Sequence, residues 1–239
     1  MLAVWVNVIA VIAGSSIGLL FSNKISEKLS DIIQSAAGIT TLVIGFQMAF
    51  QYKSIVILAL SLIIGGLLGS WWDWDGKILA LGTLIERMLK KTAVHHVPAE
   101  NKIQWNFAYA FLNSSVLFCV GAMAIVGSLK AGVEKDYTII FTKSILDGFM
   151  AITFAAAMGP GTIFSSLAIL LYQGALTLLS SVIKPFINET MIAELSASGG
   201  ALIIMIGLGL LNLKKIKTAN YLPAIFLAVL FAAIKDVLM

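Results

Sequence analysis

The chain has 239 residues, of which 59% are hydrophobic and only 12% charged, with a mean hydropathy of +0.98. A water-soluble domain of this size needs far more charge to cover its surface, so the composition excludes one and points to a chain that faces lipid. The net charge of +4 does not argue for nucleic acid as a partner, because Lys and Arg gather in loops between apolar spans, where they set orientation in a membrane.

The first segment, MLAVWVNVIAVIAGSSIGLLF, lacks a positively charged start and is long enough to span, which predicts a retained transmembrane helix over 3–21 instead of a cleaved signal. Further spans are predicted over 34–50, 54–72, 107–128, 138–158, 161–183, 196–213 and 221–238, eight in all. Each can cross roughly 30 Å of hydrocarbon, so the expected fold is all-α, a single polytopic helix bundle over 1–239. The second and seventh spans are rich in small residues, which suggests tilted or re-entrant segments. Between the third and fourth spans, Trp71, Trp72 and Trp74 form an interfacial aromatic belt. The stretch that follows, within 73–105, alternates Ile78, Leu81, Ile85 and Met88 against Lys77, Arg87, Lys90 and Lys91. It reads either as an amphipathic helix on the cytoplasmic face or as an ordinary linker. His95 and His96 are adjacent and have no third ligand near them, so no metal site and no cofactor are expected; Cys119, alone in an apolar span, reads as a packing residue.

With the N-terminus outside, the cytoplasmic loops carry Lys24, Lys28, Lys77, Arg87, Lys90, Lys91, Lys102, Lys214, Lys215 and Lys217. The outer loops and tail carry Lys53, Lys130, Lys135, Lys184 and Lys235. This asymmetry is expected to place both termini outside, with the basic loops on the cytoplasmic side.

Two stretches echo each other, SAAGITTLVIGF at 35–46 and ASGGALIIMIGL at 197–208, with Gly38 falling on Gly200 and Gly45 on Gly207. They lie an odd number of spans apart and would face opposite ways in the membrane, which suggests an inverted repeat of the kind found in secondary transporters. A weaker third echo is LFCVGAMA at 117–124, which contains Gly121. Gly14 with Gly18, and Gly65 with Gly69, have the GxxxG spacing that lets helices approach closely. Such a face also suits a homodimer.

Polar residues within the spans are fewer and carry more information. Asn7 shares a face with Gly14 and Gly18, and Asn113, Ser114 and Ser115 make a polar step in the fourth span. Ser166, Gln173, Thr177 and Ser181 form a stripe down the sixth. In the fifth span, Lys143 and Asp147 are four residues apart and project from one helix face, continued by Ala151 and Ala155 and flanked by Ser144 and Gly148. Phe141, Ile145, Phe149 and Ile152 occupy the opposite, lipid-suited side. A charge in mid-bilayer costs on the order of 2.5–3.5 kcal/mol on insertion scales. Either the pair cancels itself and pins the helix into the bundle, or it lines a polar pathway with Asp147 as an ion or proton site and Lys143 as counter-ion. Lys143 also sits near enough to the start of its span to snorkel outward.

The segments FCVGAMAIVGSL, FTKSILDGF, LLYQGALTLL and IAELSASGGALIIMIGLGLL together resemble the bacterial membrane family catalogued as domain of unknown function 554. The likeness runs from VNVIAVIAG to NYLPAIFLA. It implies a polytopic bacterial membrane protein of a kind often labelled a transporter. By position its polar features fall on Asn7, Lys143, Ser144, Asp147, Gln173 and Glu194; by residue chemistry alone, Glu194 is a first-turn carboxylate favoured by its own helix dipole.

The function expected is a small secondary transporter or channel-like permease for an ion or small polar solute. Its pathway is expected around Lys143, Asp147, Ser144, Gln173, Asn113, Ser114, Asn7, Thr177 and Glu194. The alternative is a non-transporting scaffold or regulatory subunit that uses the same residues as interhelical glue. An enzyme is not expected, because no nucleophile–base constellation or phosphate-cradling loop is present.

Overall fold

The computed structural model describes residues 1–22, 27–78, 80 and 106–238. The expected interfacial helix and the two histidines fall largely or wholly on 81–105, outside the described residues. The helices are α1 (Leu2–Ser22), α2 (Glu27–Ala49), α3 (Ile55–Trp71), α4 (Phe107–Cys119), α5 (Ala122–Val133), α6 (Thr138–Met158), α7 (Gly161–Leu178), α8 (Glu189–Leu210) and α9 (Leu222–Leu238). Short helical turns at Ser180–Ile183, Lys184–Phe186 and Thr218–Tyr221 connect them, and there is no strand among the described residues.

Six of the eight expected spans are single helices long and apolar enough to cross a membrane. The third, α3, is apolar but only 17 residues long. The fourth differs from expectation, being broken into α4 and α5 with a bend of 60°. Phe107 at the start of α4 lies against Gly161 at the start of α7, whereas Gly132 near the end of α5 lies against Thr177 in the last turn of α7 and Ser180 just beyond it. The bent pair therefore runs the full length of α7. The segments suspected of being re-entrant, α2 and α8, are continuous helices of 23 and 22 residues.

Local chemistry sets the helix ends. Asn106 Oδ1 accepts from the Tyr109 N–H at 3.0 Å and Asn188 Oδ1 from the Met191 N–H at 2.8 Å, which caps α4 and α8. Between α6 and α7 the chain reverses through Gly159, at φ 95°, followed by Pro160.

Glycine seams govern the packing. A Cβ on Gly14 would run into the Gly148 carbonyl oxygen, and one on Gly18 into that of Ile152, so α1 and α6 lie parallel and in backbone contact. Gly65 and Gly69 meet Ala224 and Asn220, which sets α3 antiparallel to α9. Both GxxxG pairs are thus used inside the chain. The α2–α8 seam is antiparallel and reciprocal: Gly45 lies opposite Gly200 and Gly38 opposite Gly207, with the added Cβ of Gly200 2.7 Å from the Gly45 oxygen and that of Gly207 3.1 Å from the Gly38 oxygen. Between the seams, the core is filled by Phe118, Phe154, Ile169, Leu202, Ile203 and Ile206, all fully buried. On α6 the bulky face points outward, with Ile145 63% and Phe149 68% exposed. This is the division that the sequence pattern predicts, and it suits a lipid surround.

Candidate functional site

The buried face of α6 carries Lys143 and Asp147, only 6% and 7% exposed. One helical turn separates them, and the Lys143 Nζ donates to Asp147 Oδ2. The parallel seam with α1 brings Asn7 alongside, and its Nδ2 donates to the same Oδ2 at 3.0 Å. The other Nδ2 hydrogen reaches Gln173 Oε1 on α7 at 3.1 Å. An ionised carboxylate can only accept, so it dictates that the Asn7 amide presents nitrogen, and Asn7 in turn dictates that Gln173 presents oxygen. Three helices are joined by one network, and both amide residues are fully buried. Asn7 Oδ1 and Gln173 Nε2 remain buried without a hydrogen-bond partner.

Lys143 and Asp147 also line a cavity of about 200 Å³. Its other walls are Gln47 on α2 and Gln51 in the turn just after it, the break at Val120–Gly121 with the first turn of α5, and the methionines Met48 and Met150. The break depends on glycine: Gly121 sits at φ 135°, ψ 158°, which side chains disfavour, and serves as the N-cap of α5 with no side-chain hydrogen bond to that helix end. Gly199 of α8 abuts Val120 so closely that a Cβ there would overlap its side chain, which holds the break in place. A helix start carries about half a positive charge and N–H groups without intrahelical acceptors, so this cavity has a partly positive backbone wall beside a lysine and an aspartate.

The remaining expected site residues lie elsewhere. Ser144 Oγ bonds back to the Ile140 carbonyl at 2.7 Å. Ser114 Oγ meets Thr162 Oγ1 at 3.3 Å, and the Asn113 amide lies 3.9 Å from Met158 Sδ, so both serve the junction of α4 with α6 and α7. Thr177 is buried near the far end of α7 against α5, its hydroxyl unpartnered. Glu194 corrects its expectation: it lies in the second turn of α8, and its Oε1 accepts the N–H groups of Lys53 at 2.9 Å and Ser54 at 2.7 Å, at the start of α3. It caps a neighbouring helix instead of stabilising its own first turn. Its Oε2 is buried and unpartnered. Gln47 and Gln51 were not singled out by sequence reasoning, since at the end of a span they look like ordinary interfacial residues.

Several apolar helices long enough to cross a membrane, with an ion pair buried among them, define a multi-pass α-helical membrane protein. The family model described as "Protein of unknown function (DUF554)" matches residues 2–233, and the chain belongs to that family. It is 31% identical over 225 residues to the uncharacterized membrane protein YdfK of Bacillus subtilis (strain 168), covering 92% of this chain and 91% of that protein. It is 27% identical over 232 residues to the uncharacterized protein YqgA of Escherichia coli (strain K12), covering 96% and 95% respectively. No solved structure matches.

Proposed function

We propose that the protein is a small secondary transporter or channel-like permease, and not an enzyme, that moves an ion or small polar solute along a path through the Lys143–Asp147 pair. The observation that carries this reading is the cavity at a broken helix with both charges in its wall. Intramembrane ionisable residues facing a cavity mark pathways, and a discontinuous helix supplies backbone charge at the same depth. The reciprocal α2–α8 seam supports an inverted repeat built on α2–α3 and α8–α9, because aligned glycines exchange partners as a two-fold axis in the membrane plane requires. The lysine and arginine asymmetry supports an inner membrane location with both termini outside. The scaffold alternative accounts for the Asn7–Asp147–Gln173 network but leaves the cavity without a role. A homodimer would need a face other than the two GxxxG pairs.

The test is current on solid-supported membranes from proteoliposomes, with wild type and Asp147→Asn challenged by ions, pH jumps and small solutes. Transport predicts a current in wild type that the folded variant lacks. Silence from a folded, stable wild type under every challenge sinks the reading and favours the scaffold.

A further inference from the structure

We propose that the cavity at the α4–α5 break binds a small zwitterion, an α-amino acid with an apolar side chain, whose carboxylate meets Lys143 and the first turn of α5 and whose ammonium meets Asp147. This rests on the transport reading and names its substrate class.

Charge is the first argument. The buried pair sums to zero, so an entering ion of one sign would leave one member of the pair, or itself, desolvated without compensation. A zwitterion replaces the internal pair with two external ones and leaves the net charge unchanged. Asp147 keeps its place when Lys143 lets go, because Asn7 still donates to it and is itself tied to Gln173. The lysine ammonium has three donors and needs only one for Asp147, so it can turn to a carboxylate without losing its aspartate at once.

The backbone is the second argument. Gly121 offers no side chain to cap α5, while the N–H groups of Ala124 and Ile125 already go to the Gly121 oxygen. Ala122 and Met123, the first two residues of α5, line the same cavity as Lys143. That arrangement suits a carboxylate, with the ammonium one helical turn further along α6 at Asp147.

Size and lining are the third. Beyond these groups the wall is largely apolar, with Ile44, Met48, Leu117, Leu146 and Met150. A cavity of about 150 Å³ holds benzene. The one here, about 200 Å³, has room for a leucine-sized solute and is too small for a nucleotide. Methionine walls adapt to side chains of different shape, which predicts a series of apolar amino acids over a single one.

The purified full chain in detergent micelles would be titrated calorimetrically with L-alanine, L-valine, L-leucine and L-methionine. Two isosteres of leucine would run alongside: 4-methylpentanoate, which lacks the ammonium, and 3-methylbutylamine, which lacks the carboxylate. At least one amino acid should bind, and each isostere should bind ~100-fold or more weakly, because a site built for a polar group is left unpaired without it. Asp147→Asn should lose binding. Since that variant can also lose its fold, Ala122→Leu provides the second arm: it keeps the pair, fills the cavity, and should lose binding with an unchanged melting temperature. An isostere that binds as well as leucine overturns the proposal, as does undiminished binding to folded Ala122→Leu. Absence of amino-acid binding to a cooperatively folded wild type overturns it too. Ion currents in proteoliposomes with no amino-acid binding would refute this inference while leaving the transport reading standing.

Discussion

Lys143 and Asp147 permit a stability measurement whose outcome follows from burial alone. Both are over nine-tenths buried and hydrogen-bonded to each other. Breaking a buried pair by removing one partner costs about 3–5 kcal/mol, because the survivor stays desolvated and uncompensated. The two single variants should differ. Lys143→Met strands a short carboxylate with only the Asn7 donor, so its cost belongs at the upper end. Asp147→Leu strands a long side chain rooted five residues into α6, about 7.5 Å from its start, which can extend toward the membrane surface and so falls at the lower end. The double variant removes both charges from an otherwise apolar setting, and by the same reasoning is neutral to stabilising by about 1–4 kcal/mol. Asn7 keeps Gln173 as a partner in every case.

The assay is equilibrium unfolding in mixed micelles, with all four proteins compared as a thermodynamic cycle. The expected coupling is at least about 5 kcal/mol, the size of the whole stability of many domains. Single costs under about 1 kcal/mol that simply add in the double variant would refute the reasoning. The pair would then be behaving like an exposed one, wet in the folded protein. The double variant also separates stability from activity: it should be folded and silent in the current assay.

Gly14→Ala should destabilise by about 1–3 kcal/mol, because its Cβ meets the rigid Gly148 carbonyl, whereas Gly148→Ala should be nearly neutral, its nearest neighbour lying at 3.4 Å; melting temperatures of the two variants decide this. Glu194→Ala should uncap α3 at a cost of about 1–3 kcal/mol and speed hydrogen exchange at Lys53 and Ser54, while Glu194→Gln, which keeps an acceptor oxygen, should cost less. Outside the membrane spans, Lys184 donates to Glu134 at 2.7 Å and, with its charge, holds that carboxyl below its ordinary value of 4.5. The folded-state pKa is depressed, so the contribution is present above that value and lost as pH falls through the lowered one; wild type and Glu134→Gln should therefore differ in melting temperature near neutrality and converge in acid.

What was legible in the sequence was whatever a single helix displays on its own surface. The face of α6 could be read from spacing, since i, i+4 positions share a side whatever the tertiary fold. The gathering of Asn7, Asp147 and Gln173 was legible only in outline: each lies on a small-residue or polar face, but nothing in the sequence says that α1, α6 and α7 meet. The break at Gly121 was hidden because FCVGAMAIVG is apolar throughout, and a hydropathy reading passes over a glycine that departs from helical angles. The small-residue pattern points instead to re-entrant or tilted segments in the spans that hold Gly38 and Gly200, whose lack of side chains serves an unbroken seam. Glu194 was misread for a related reason. Its partners, the N–H groups at Lys53 and Ser54, are more than a hundred residues away, and only the fold reveals which helix start it faces.

The glycine seams also bear on how such a bundle would work if it transports. The two most extensive helix contacts are α1 with α6 and α2 with α8, both made backbone to backbone through glycine. Contacts that close have no side chain to yield, so each pair moves as one piece. The α2–α6 contact between them is of another kind. Met48 and Met150 line the cavity there, with Gln47 on one side and the charged pair on the other. Methionine is the apolar side chain that best tolerates a change of neighbour, and the Met48 methyl is also what lies nearest to Gly121 at the break. On the transport proposal, alternating access therefore belongs to this soft boundary, with the α2–α8 pair tilting against the α1–α6 pair around the Lys143–Asp147 site. Crosslinking cysteines across the α2–α8 seam should leave flux intact, whereas crosslinking Gln47→Cys to Leu146→Cys should arrest it.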